Sequence, residues 1–318
     1  MNVDSDSGSD DEEIPTVILT PKEILSIGLK MVHFTEARIG RASLKTNTKR
    51  FKDHFGCNQL VAAQLFEDLQ ICKIPEARLD DDKINVNHFL LALHFLYDYE
   101  TEGKREPKFD LSHKTLRQHT WYYVRKISAM KIEKIVFPDD FGDNIWVLSL
   151  DCIDCPIEEI QGKEVSQDSD LFSFKFHGAG LRYEFGIDLF RSNLIWINGC
   201  FLPGKYPDNK IFTDFGLKEK LESIGKKALA DRIYNGYPHV CSTFNAVDRA
   251  VVSKFKARAQ MRHEQFNGMV KEFKCMSEKF RHKPDKPAKH QMCMEAVCVI
   301  CQYRMELGEP LFDILAGL

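Results

Sequence analysis

Apolar positions recur with a helical period in three early segments. Over residues 58–69 they are Leu60, Val61, Leu65, Phe66 and Leu69, with Asn58 placed as an N-cap. A second helix is predicted over 87–99 and a third over 112–130, where Leu116, Tyr123, Val124, Ile127 and Met130 form one stripe. Arg117, Arg125, Lys126 and Lys131 fall on the outer faces of this region. That pattern is compatible with a helix-turn-helix-like module and equally with an ordinary bundle. Residues 14–138 are therefore expected to be all-helical, and the Ser-, Asp- and Gly-rich stretch 1–13 to be a disordered acidic tail with almost nothing apolar to bury.

Beyond residues 138–144 the period changes to short β-branched and aromatic runs separated by turn residues, predicting strands over 145–150, 171–176, 183–190 and 194–197. A helix over 210–224, a very short strand over 228–230 and a long helix over 253–280 follow. Met261, Phe266, Met269, Val270, Phe273, Met276 and Phe280 make the apolar flank of the long helix. A last helix over 292–306 meets stop signals at Gly308 and Pro310. Strands first, then helix, strand and helix, imply a three-layer α/β domain over 139–318. Its sheet should be mixed, because the early strands can form hairpins while the later one needs a helical crossover.

Composition narrows the class. Hydrophobic residues at 43% and charged residues at 29% are ordinary globular values, and no apolar run approaches the ~18 residues that would cross a bilayer. No basic segment followed by an apolar stretch opens the chain, so a secretory route is not expected and ten cysteines read as reduced thiols. The net charge of −3 hides a segregation: six acids sit in residues 4–13, and the remainder is basic. Residues 254–290 hold eleven Lys and Arg against four acids, and the run Arg38, Arg41, Lys45, Lys49, Arg50, Lys52 has no acid inside it. Such local fields attract polyanions.

The acids that matter most are placed at element ends. Asp151 closes WVLSLD, Asp231 follows a short strand in ALADRIY, and Glu264 lies within RHEQFNGMVK of the long helix. Carboxylates converging from separate elements repel one another unless a cation neutralises them, and hard oxygen ligands suit Mg²⁺ or Mn²⁺. Lys271 follows Glu264 by seven residues, two turns along the same face, with Gly268 leaving a gap between them. Asp154 is three residues from Asp151, an odd spacing that sends it to the other face of a strand. The pairs Cys152/Cys155 and Cys298/Cys301 read better as packed thiols than as zinc ligands, and His113, His119, His177 and His263 as surface or core residues. No nucleotide-binding glycine motif is present.

The runs FSFKFHGAGLRYEFGI, WINGCFLPGKYPDNKIF, LADRIYNGY, KARAQMRHEQFNGMVKEF and MEAVCVICQYRMELGEPLFDIL, spread over about residues 140–315, resemble the transposase domain of PIF/Harbinger-type DDE superfamily endonucleases. The resemblance implies an RNase H-like fold whose acidic triad, here Asp151, Asp231 and Glu264, binds two divalent metal ions and cuts DNA at transposon ends. It adds Asp208 of PDNKIF as a further metal position, and Lys271, Arg258 and Arg262 as contacts to DNA phosphates. It implies Asp151 as the bridging ligand, a nuclear location, a separate Myb-like DNA-binding partner, and room for homo-oligomers; no membrane is involved. The chain departs from the family where Cys152, Ile153 and Asp154 replace the usual Gly-Thr-His and where Gln260 stands for a base. The competing expectation is therefore a domesticated descendant that binds DNA or chromatin proteins without cutting.

Overall fold

A computed structural model describes residues 17–158, 169–237, 240–242, 248–281 and 287–316. The acidic tail 1–13 lies outside the described residues. The first part of the chain is helical: α1 (Pro21–Met31), α2 (Glu36–Arg41), α3 (Leu44–Phe55), α4 (Gln59–Ile71), α5 (Val86–Asp98), α6 (Glu102–Phe109), α7 (His113–Ala129) and α8 (Lys131–Lys134). Asn58 caps α4 through the Val61 amide and Ser112 caps α7 through Thr115, as their positions in the sequence predict. The three helices ahead of α4 fall in the stretch expected to be helical, although the apolar pattern did not delimit them. The signal for α1 is nevertheless local: Thr20 and Glu23 form a reciprocal capping box around Pro21. In α3 only Phe51 and Phe55 are large, buried and apolar, which leaves little periodicity to read in LKTNTKRFKDHF.

The sheet comprises β1 (Trp146–Pro156), β2 (Phe172–Ser173), β3 (Gly178–Asp188) and β4 (Leu194–Phe201). Two helices, α9 (Asp208–Asp214) and α10 (Leu217–Ser223), precede β5 (Lys227–Leu229) and β6 (Cys241–Ser242). The long α11 (Ala250–Lys271), the single turn α12 (Lys274–Ser277) and α13 (Pro287–Glu306) complete the chain. The strand order is β2-β3-β1-β5-β6, with β4 also pairing β3. Strand β3 is antiparallel to both β1 and β4, whereas β5 runs parallel to β1 and β6 parallel to β5. This is the mixed α/β architecture expected.

Several boundaries differ from the sequence reading for identifiable reasons. β1 continues six residues past Leu150 because both faces of this central strand are covered, and the polar Asp154 is paired rather than solvated. β2 is only two residues long. The helix expected over 210–224 is two, broken at Gly216, whose φ of 99° lies in the left-handed region. The helix expected over 253–280 stops at Lys271, where Phe273 turns extended and becomes buried.

One hydrophobic core runs from the N-terminal helices to the sheet. α13 lies at its centre, with Val297, Cys298, Ile300 and Cys301 fully buried between Phe66, Leu93 and Ile127 of the helices and Ile153, Leu181 and Phe185 of the sheet. α9 and α10 bring Phe212, Leu217 and Leu221 into a second cluster with Val147, Leu148, Leu150 and Ala228. An ion network centred on buried Arg304 ties three parts of the chain together. Arg304 of α13 meets the partly exposed Glu309 at 2.6 Å and Glu272, at the end of α11, at 2.9 Å, while Lys52 of α3 holds Glu309 at 2.8 Å. Arg304→Ala removes charge-assisted hydrogen bonds but leaves acids that water can reach, so it is expected to cost about 1.5–3 kcal/mol in urea denaturation and Arg304→Met less; a loss below about 1 kcal/mol would place the network among exposed, weakly stabilising pairs.

Candidate active site

The parallel pairing of β1 with β5 sets the site. Ser149 is in register with Leu229, and two residues beyond this pair each chain segment carries an acid, Asp151 and Asp231. β1 goes on past that point while β5 ends, so Asp151 lies within a strand and Asp231 on the turn that follows one. Asp231 also caps the 3₁₀ turn Arg232–Tyr234, accepting the Ile233 amide at 2.9 Å. The third acid comes from α11, which packs across the sheet through Phe266, Met269 and Val270 and leaves Glu264 exposed.

Asp151, Asp231 and Glu264 line one open cleft of ≈ 530 Å³ together with Ser149, Lys175, Arg232, Gln260 and His263. A second groove of ≈ 670 Å³ shares Asp151, Lys175 and Glu264 and is edged by Lys271 and Lys279. The two depressions therefore meet at the acids. Lys271 faces the groove as its seven-residue spacing from Glu264 predicts, and a Cβ added at Gly268 would meet nothing within 4 Å.

Asp151 is the electrostatically burdened member of the set. Burial pushes its carboxyl above the usual carboxylate range, and the like charge of Asp231 pushes in the same direction. Lys175, the Cys152 amide (2.8 Å to Oδ1) and the Asn267 side-chain amide (3.3 Å to Oδ2) offset part of this. The result is a partly desolvated anionic pair facing an opening, which fits hard divalent cations. The ligand oxygens of the three acids are not all gathered within 4.8 Å of one another.

Three residues predicted for the site have other partners. Asp208, at the start of α9, is 6% exposed and lies 2.6 Å from Nη1 of Arg182, whose Nε and Nη2 bind both oxygens of Asp154 at 2.7 and 2.9 Å. It sits beside the cleft, where burial and, less strongly, the charge of Asp151 raise its carboxyl while the Arg182 guanidinium that occupies it pulls the other way. Arg258 donates to the carbonyls of Ile314 (2.8 Å) and Asp313 (2.6 Å), and buried Arg262 to those of Phe312 and Arg191. Positions 258 and 262 are one turn apart on the face of α11 that grips the C-terminal segment, whereas 260, 264 and 271 follow the face at the cleft. Neither arginine is presented to a phosphate. Asp154, three residues from Asp151, points away from the cleft into this Arg182 ion pair, where the Ser173 hydroxyl donates to it as well.

Sequence reasoning missed Lys175, Asn267 and Ser149 as neighbours of the acids. Lys175 stands at the tip between β2 and β3 and donates to the Cys152 carbonyl, a position no local pattern reveals. Asn267 was legible in principle, three residues after Glu264 on the same helix. His263 is fully covered, its Nδ1 3.0 Å from the Ser149 hydroxyl, and burial lowers it to about 4. Its placement is that of a neutral core residue at the wall of the cleft, as its type and spacing suggested. The thiols of Cys152, Cys155, Cys298 and Cys301 are buried, and burial raises each of them.

Residues 150–302 match the family model described as DDE superfamily endonuclease. The matched stretch contains all three acids and Lys271. No curated protein and no solved structure matches the chain.

Beneath the cleft, Glu184 of β3 stands opposite Cys152 and is completely buried, accepting a 2.8 Å hydrogen bond from the Trp196 indole. Burial raises its carboxyl from 4.5 to about 8. Between these values the folded protein holds a proton that the unfolded chain releases, so this group's stabilisation is complete below about pH 4.5 and is lost as pH rises toward about 8. Glu184→Gln should flatten the decline in stability across that window in denaturant titrations. An unchanged pH slope in the variant would show that Glu184 is ionised in the fold.

Proposed function

We propose that the chain is a divalent-metal-dependent DNA endonuclease or transposase of the PIF/Harbinger type, acting at transposon-like ends in the nucleus. The observation that carries this reading is the meeting of three carboxylates, from β1, the β5 turn and α11, at the junction of two grooves edged with lysines. The mixed sheet, with three antiparallel strands and two parallel ones beside them, is compatible with an RNase H-like fold. Residues 139–318 are proposed as the catalytic unit, with the helices of 14–138 packed against it through the common core. Sequence recognition is assigned to a separate Myb-like protein.

Asp151, Asp231 and Glu264 are the residues that would hold Mg²⁺ or Mn²⁺. A bound pair of such ions supplies Lewis-acid stabilisation of charge on the scissile phosphate and lowers the pKa of water. The chain's own contribution is positioning. Asn267 and the Cys152 amide fix the Asp151 carboxylate, the Asp231 side chain is fixed by the Ile233 amide, and Glu264 projects from a helix anchored by Phe266 and Val270. Lys175, Lys271 and Lys279 provide positive charge along the path that a strand would follow past the acids, and Gly268 keeps it open. Preorganised groups of this kind need no rearrangement as charge develops.

The second reading, a non-cleaving DNA-binding descendant, draws on the unusual Cys152, Ile153 and Asp154 after Asp151 and on Gln260 at the cleft. A nicking assay on plasmid DNA with Mg²⁺ or Mn²⁺ separates the two. Asp151→Asn, Asp231→Asn and Glu264→Gln are each expected to reduce cleavage by more than the ~10–100-fold typical of removing a group behind the ligands. Absence of cleavage by the wild type, or unchanged cleavage by Asp231→Asn, rejects the nuclease and favours the second reading. Lys271→Ala should weaken DNA binding and reduce the salt slope by about one, whereas Arg258→Ala should leave the slope unchanged; equal effects of the two would contradict the groove assignment.

A further inference from the structure

The helical region holds a second cluster of ligand-type side chains. His94 and Asp98 are one turn apart on α5, and His54 approaches them from α3. His94 Nε2 lies 3.2 Å from Asp98 Oδ2, His54 Nδ1 lies 3.9 Å from the same oxygen, and one ligand atom from each of the three residues falls within 4.8 Å of the others. Among the described residues this is the one group of His, Cys, Asp and Glu gathered so closely. The two imidazoles are nearly parallel, at 9°, and His94 is completely buried.

The polar atoms here are under-satisfied. Both ring nitrogens of His94 and Nδ1 of His54 are buried without a well-aligned hydrogen-bond partner. Such atoms in a folded interior call for an explanation, of which an ion is one. Two ligands of a tetrahedral zinc ion are separated by about 3.3 Å, from bond lengths near 2.0–2.1 Å. His94 and Asp98 already stand at that separation, and His54 would move closer to both on binding. Asp98 and Glu100 face the cluster together with Lys274, Lys108 and Arg105. Asp98 gives its other oxygen to Lys274 at 3.0 Å, while Glu100, 3.9 Å from His94 Nε2, is paired with Lys108 at 2.7 Å. Phe34, Phe55 and Phe109 enclose the imidazoles, and His54 is the partly exposed member through which a water ligand would enter.

We propose that His54, His94 and Asp98 form a zinc site with a fourth, water-occupied position, separate from the carboxylate cleft. Imidazole nitrogens with one carboxylate suit Zn²⁺, whereas the all-oxygen cleft suits Mg²⁺ or Mn²⁺. Zinc would join α3 to α5 beside Lys274, the residue by which α12 reaches the helical region. The Lys274–Asp98 bond is an outer contact that orients the ligand carboxylate.

The experiment uses the full chain carrying Asp151→Asn, Asp231→Asn and Glu264→Gln, so that the cleft does not contribute. After chelation and gel filtration, added Zn²⁺ should be retained at one equivalent and should raise the melting temperature. Added Co²⁺ should give the visible bands of a tetrahedral nitrogen–oxygen site without a near-ultraviolet thiolate band. Adding His54→Ala should abolish retention and cobalt colour while the metal-free melting temperature stays within a few degrees, and Asp98→Asn should weaken zinc binding at least tenfold. Should His54→Ala not fold, the cobalt spectrum of the parent chain decides. Failure to retain zinc, retention undiminished in His54→Ala, or a thiolate spectrum would each overturn the proposal. None of these results bears on DNA cleavage.

Discussion

Two carboxylates on one central strand face opposite electrostatic fates, and the rest of the structure follows from that difference. β1 is covered on both faces and carries Asp151 and Asp154 three residues apart. Asp154 is neutralised inside the protein by the Nε and Nη2 groups of Arg182. Asp151 has no such partner: it accepts two amides, lies near Lys175, and has the like charge of Asp231 beside it. A desolvated carboxylate with a second acid alongside is costly unless a cation completes it. The register of β5 against β1 makes that neighbour unavoidable, because both acids stand two residues beyond the same pairing position.

α11 translates the same requirement into a surface. One face of the helix buries Phe266 and Val270 against the sheet, a second uses Arg258 and Arg262 to bind the carbonyls of the C-terminal segment, and the third carries Gln260, Glu264 and Lys271 along the grooves. Positive charge is thus divided between holding the fold and edging the cleft. The count of basic residues in this region overstates what is available to a polyanion.

Elements with regular periods and caps were legible in the sequence. α4, α5 and α7, the order of strands and helices after residue 144, and the candidate acids Asp151, Asp231 and Glu264 could all be picked out. Their grouping rested on a family resemblance, since no spacing rule brings a strand, a turn and a helix together. What stayed hidden depends on tertiary pairing. The extension of β1 through Asp154 requires Arg182, twenty-eight residues away in the chain, and the same guanidinium withdraws Asp208 from the cleft. Arg258 and Arg262 looked like phosphate contacts because a helix face identifies neighbours only after its packing is known. The His54, His94 and Asp98 cluster escaped notice since two of its three members read as a simple i, i+4 pair inside an apolar helix.

The most direct test of the metal-holding cleft is anomalous diffraction from crystals of the full chain soaked in Mn²⁺. Two manganese peaks about 3.5–4 Å apart, with the Asp151 carboxylate between them and Asp231 and Glu264 to either side, are the expected result. Manganese density absent from this cleft at saturating concentration, with the three carboxylates ordered and accessible, would contradict the account.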